Sequence, residues 1–134
     1  ASEQEFLVLL YNDRTSVMMN APLGMAALVP ADDANRDSFR KWLRKQRPNG
    51  GTFPATAMFV SLAMKPDAVF LLSDGELKDN TRELLQIWND DRKESDSSSS
   101  RIPVHTISLG GPGEGQRMMK SIAEENNGDF SWIR

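Results

Sequence analysis

The chain alternates between short apolar runs and longer stretches with helical spacing. FLVLLY at 6–11 is almost continuously apolar. Such a run predicts a strand buried on both faces, as in a sheet covered by helices on both sides. NDRT then supplies a turn, and a weaker strand around 16–20 predicts a hairpin with the first. Residues 21–31, with two prolines and Gly24, read as a loop. Asp32 or Asp33 suits the N-cap of a following helix, whose Phe39, Trp42 and Leu43 recur at three and four, with Gln46 extending the series. Arg44, Lys45 and Arg47 favour its C-terminal end, and PNGG at 48–51 stops it.

Thr52 is positioned to cap the next helix, with Pro54 in the first turn and Ala55, Met58, Phe59, Leu62 and Ala63 as its apolar face. AVFLL at 68–72 is a second buried strand. A helix over 81–92 turns Leu84, Leu85 and Trp88 inward. KESDSSSSR at 93–101 reads as a flexible polar link. PVHTISL at 103–109 is a third strand. GGPGEG follows as a glycine-rich turn, then a helix over 115–126 with Met118, Met119, Ile122 and Ala123 inward, and a last short strand at 129–133. This later alternation of helix and strand predicts an α/β fold with a mostly parallel sheet.

Composition narrows the function. At 134 residues the chain suits one domain, and 39% hydrophobic with 26% charged residues is an ordinary globular mix. A net charge of −3 argues against nucleic acid, whose backbone wants a basic surface. There is no cysteine, so disulfides and thiolate chemistry are excluded. No apolar run reaches the roughly 20 residues that span a bilayer, so no membrane insertion by this segment is expected.

Ligands of open α/β sheets bind outside the carboxyl ends of the strands. VFLLSDGE at 69–76 delivers Asp74 to such an end, and Thr52 starts a helix that leads into the same strand. Two hard oxygens invite a cation such as magnesium, although two alone hold it weakly. The same residues also suit plainer roles, Asp74–Gly75 as a turn and Thr52 as a cap.

Five pieces in order resemble the von Willebrand factor A domain, in particular its bacterial branch: FLVLLYND, GGT at 50–52, AVFLLSDGE at 68–76, IPVHTISLG at 102–110 and SIAEENNGDF at 121–130. The resemblance spans nearly all of 1–134 as a single domain. It implies a doubly wound, mostly parallel sheet with helices on both faces, and protein binding or assembly through a divalent ion without enzymatic activity. Thr52 and Asp74 match two of the family's metal-site residues, with Asp13, Gly51, Ser73 and Glu76 as rim residues. The family's first strand and its Asp-x-Ser-x-Ser motif have no match, so the domain is expected to be N-terminally truncated, with Ala1 to Glu5 as the tail of the lost segment. Mg2+ or Mn2+ is expected only in a full-length protein, and none is expected to be held stably by this chain.

In the family that strand lies between those matching 6–11 and 68–72. Three outcomes follow: a longer parent supplies it, another copy fills the gap by homo-oligomerisation or strand exchange, or the two strands close up into a contracted sheet.

Asp96, Ser98 and Ser100 also spell Asp-x-Ser-x-Ser, but in a polar run ahead of a strand, where no buried strand holds the turn. His105 falls inside a strand and reads as structural, with no second histidine for zinc. Ser73 lacks a nucleophile elbow, and GGPGEG lacks the endings of a phosphate loop. Trp42, Trp88 and Trp132 read as core or sheet-cover residues. The competing functions are a degenerate structural domain without metal and, on weaker grounds, a hydrolase or nucleotide-binding enzyme. Relatives occur in several compartments, so localisation stays open.

Overall fold

The computed structural model describes residues 4–47, 50–90 and 101–133. The Asp96, Ser98 and Ser100 run and most of the expected polar link lie outside them.

The first apolar run forms two strands, not one. β1 (Glu5–Phe6) pairs antiparallel with β4 (Val29–Pro30), and β2 (Leu9–Tyr11) pairs antiparallel with β3 (Thr15–Val17). The hairpin is as expected. The break falls where the partner chain leaves for a turn at Met18–Asn20, in which Met19 and Asn20 both have φ of 59°. Val8 still accepts a hydrogen bond from the Met18 amide at 3.0 Å. Residues 6–11 are half-buried throughout, against the expectation of a strand buried on both faces.

α1 (Asp33–Arg44) starts at Asp32, whose carboxylate accepts from the Asn35 amide at 2.8 Å. Trp42 is buried and bonds Asn20, but Leu43 faces solvent. α2 (Ala55–Ala63) buries Ala57, Met58 and Leu62, while Phe59 and Ala63 are exposed, contrary to expectation. The α2 face therefore lies one step away from the spacing first assigned.

β5 (Val69–Ser73), β6 (Val104–Ser108) and β7 (Phe130–Trp132) form a parallel sheet in that order. α3 (Thr81–Trp88) and α4 (Glu114–Glu125) are its crossovers. The order advances in one direction, so crossovers of one hand put α3 and α4 on the same face. Met58 and Leu62 of α2 join Val69, Leu71, Leu85, Val104, Met119 and Ile122 in that core.

Among the described residues no helix covers the opposite face of the sheet. Phe70 is 63% exposed and Leu72 47%. Helices on both faces of one continuous sheet are thus not seen among the described residues. The strands fall into three separate sheets, and β2 does not pair with β5, so the contracted sheet is not formed. The physical reason is directional: only a strand beyond β5, followed by a reversed crossover, would carry a helix to the other face.

Asn89 and Asn126 tie the far end of the sheet. Asn89 donates to the Ile102 carbonyl at 2.8 Å and accepts from the Ile102 amide at 2.9 Å. It also donates to the Asn126 side chain at 3.1 Å.

Candidate functional site

The rim is built at the carboxyl end of β5. The Ser73 hydroxyl accepts from the Gly75 amide at 3.0 Å, and Asp74 accepts from the Glu76 amide at 2.9 Å. Two successive side-chain turns thus fold the chain back. Gly75 has φ of +85°, and a Cβ there would collide with the Gly115 carbonyl of α4. A Cβ on Gly115 would likewise strike the Asp74 carbonyl. Backbone lies on backbone, so the rim turn is seated on the first turn of α4. The glycine-rich loop read as a plain turn has this packing role as well.

Asp13, in the turn between β2 and β3, accepts from the Gly51 amide at 2.8 Å. Thr52 offers its carbonyl to the Lys78 amide at 2.8 Å. The Gly51–Thr52 segment therefore bridges the hairpin turn and the loop after β5. Ser73, Asp74 and Glu76 share one turn, and Asp13 and Gly51 share one contact. Thr52 joins the loop through its backbone.

Thr52 does not cap α2. Asp79 does, accepting from the Ala55 amide at 2.9 Å. Its other oxygen accepts from the Thr81 hydroxyl at 2.5 Å and the Thr81 amide at 3.3 Å. One carboxylate thus holds the starts of α2 and α3 together. Sequence reasoning missed Asp79; the signal was an Asp two residues ahead of Thr81 at a helix start.

Tyr11 closes the group. Its hydroxyl donates to the Leu72 carbonyl at 2.7 Å. Burial pushes the phenol above its ordinary value; the Ser73 hydroxyl offsets this in part, and the Asp74 and Asp79 carboxylates add to it.

A magnesium ion wants near-octahedral oxygen ligation. Asp74 and Asp13 each have an oxygen committed to a backbone amide. Among the described residues no three His, Cys, Asp or Glu side chains come together to hold a metal. The described residues do not make a cation cage by themselves.

His105 stacks on Phe70 with ring centroids 4.9 Å apart, and its Nδ1 accepts from the Asp129 amide at 3.0 Å. Both contacts are structural. Trp42 is buried and Trp88 half-buried, but Trp132 is 52% exposed, against its expected place in a cover.

No described helix is long and apolar enough to cross a membrane. No family model matches the chain. No curated protein matches it either. Among solved structures it is similar to the crystal structure of an aerotolerance-related membrane protein from Bacteroides fragilis carrying multiple mutations to serines. The match has a TM-score of 0.66 at 13% identity and covers 100% of this chain and 74% of that one. At that identity the likeness establishes a shared α/β fold.

Proposed function

We propose that this chain is a non-enzymatic protein-interaction or assembly module organised as a doubly wound von Willebrand factor A-like domain. The observation that carries the reading is the bare apolar face beside the Asp74 rim. Phe70 and Leu72 on β5 and Leu109 just past the end of β6 are 63%, 47% and 52% exposed. Contiguous exposed apolar surface on a rigid sheet favours a protein partner. The likeness to an aerotolerance-related membrane protein is compatible with such a role. In a longer protein that supplied further oxygen ligands, Asp74 and Thr52 would contribute to a Mg2+ or Mn2+ site at the same rim.

The test places a photo-crosslinking residue at position 109 in the protein as its host makes it. A defined adduct with another protein is expected, lost when Phe70→Ser removes part of the face. Adducts that are missing, or that ignore Phe70→Ser, would overturn the reading.

A degenerate structural domain is the second reading. It is favoured by the commitment of Asp13 and Asp74 to backbone amides. Calorimetric titration with Mg2+ or Mn2+ separates the two metal expectations: a site gives heat and a thermal shift, and a purely structural rim gives neither.

A further inference from the structure

We propose that the exposed basic face at the end of α1 is a docking surface for an acidic segment of a partner protein, held by the guanidinium groups of Arg40, Arg44 and Arg47. This rests on the reading of the chain as an interaction module and adds a surface made of other residues than Phe70, Leu72 and Leu109.

Charge is unevenly spread along the chain. Residues 33–47 carry six of the 16 Lys and Arg but two of the 19 Asp and Glu. The segment has a net charge of +4 in a chain of −3, so the remainder stands at −7. Within the segment Asp33 pairs with Arg36 at 3.1 Å and Asp37 with Lys41 at 3.0 Å, which uses both carboxylates. Arg40, Arg44, Lys45 and Arg47 are exposed, and among the described residues none of them has an ion pair. The helix dipole favours cations in the last turn, which suits Arg44 and Lys45. Arg40 lies a turn earlier and gains little from it. Like charges one turn apart repel, and an anion brought to them relieves that repulsion.

The face is firmly mounted. Trp42 is buried, and its indole N–H donates to the Asn20 side chain at 3.0 Å. Phe39 meets Phe6 edge-on with ring centroids 6.1 Å apart. The Gln46 side chain donates to the Trp42 carbonyl at 2.9 Å and closes the helix end that carries the cations. Arg40 and Arg44 stand one turn apart, a separation of about 5–6 Å between Cβ atoms. Carboxylates one helical turn apart, or on alternate residues of an extended segment, match it. Each guanidinium can take a carboxylate through two parallel N–H groups.

The size and surroundings of the face favour a peptide. α1 has 12 residues, about 18 Å of helix. A short acidic segment meets its cations alone at a screening length of about 8 Å. A nucleic-acid duplex or a bilayer extends far past α1 and would also meet the remainder at −7. α1 exposes one large apolar side chain, Leu43, which is too little to seat it in a bilayer.

The experiment has two readouts on the whole chain. Fluorescence anisotropy follows a labelled peptide of alternating glutamate and alanine. Binding is expected to weaken as salt rises and to fall about fivefold or more in the Arg40→Gln, Arg44→Gln double variant. It should be unchanged in Lys120→Gln, which removes an exposed cation of α4. Arg44→Lys keeps the charge and loses the fork, so it should lose part of the binding with the fold undisturbed. A photo-crosslinking residue at position 43, in the protein as its host makes it, should capture a partner peptide rich in Asp and Glu. The double variant should lose that adduct.

Binding that ignores salt or the double variant, or a captured peptide with no acidic excess, would overturn the proposal. So would tighter binding of phosphatidylserine vesicles or of a DNA duplex, or capture of a second copy of this chain. Failure of both readouts with the position 109 crosslink intact defeats the α1 surface and leaves the interaction reading standing. Loss of the position 109 crosslink alone defeats the apolar-face reading instead.

Discussion

The Tyr11 hydroxyl reaches across from the β2–β3 hairpin to the Leu72 carbonyl of β5 at 2.7 Å, although the two strands do not pair. This side chain links two separate sheet pieces. Tyr11 is the only tyrosine, so its titration can be read directly by ultraviolet absorbance. Its folded value is raised from 10.0, chiefly by burial. The neutral phenol is the form the fold prefers. Stability from this group is therefore fully present below about pH 10 and falls as pH rises through the folded value. A spectroscopic midpoint at or below that of free tyrosine would contradict the burial. Tyr11→Phe should cost about 1 kcal/mol in urea unfolding at neutral pH and remove the alkaline decline.

Arg82 and Glu125 join α3 to α4 with two matched hydrogen bonds, Nε to Oε1 at 2.8 Å and Nη2 to Oε2 at 2.6 Å. The Arg82 guanidinium holds the Glu125 carboxyl below its ordinary 4.5. The linkage therefore contributes above about pH 4.5 and fades as pH falls through the lowered folded value. Both side chains are partly exposed, so the contribution is modest. Glu125→Gln should cost about 1 kcal/mol near neutral pH. Denaturant melts at neutral pH and about pH 3 should show that difference shrinking.

Gly75 and Gly115 should be the least replaceable glycines at the rim. Alanine at either would drive a Cβ into the backbone of the facing segment, and Gly75 also has a φ of +85°. Each Gly→Ala change is expected to cost about 3 kcal/mol or more. Gly111, where an added Cβ would meet nothing within 4 Å, is the control and should change stability by under about 0.5 kcal/mol. Thermal melts of the three variants decide this.

Asn89→Leu should destabilise by about 2–4 kcal/mol, because it strands the part-buried amide and carbonyl of Ile102 and a partner of the buried Asn126. Amide exchange at Ile102 should quicken. Unchanged exchange there would show that the network is not holding the chain end of β6.

The sequence by itself determined the elements whose causes are local. Asp32 caps its helix because its short carboxylate reaches an amide three residues on. β5 and β6 are legible as apolar runs bounded by turn residues, and Ser73, Asp74 and Gly75 as the turn that ends the first of them. Tertiary structure decided what depends on neighbours distant in the chain. Asp79, not Thr52, holds the start of α2, because a carboxylate from another loop accepts from that orphan amide. Gly115 is required by the approach of Asp74, 41 residues away in sequence. The apolar run at 6–11 could not reveal its own break, which is set by where the partner chain leaves the ladder. Phe70 and Leu72 look like core in any hydropathy pattern. They stand exposed because α2, α3 and α4 pack on the other face of the sheet, and a residue's type does not record which face its neighbours cover.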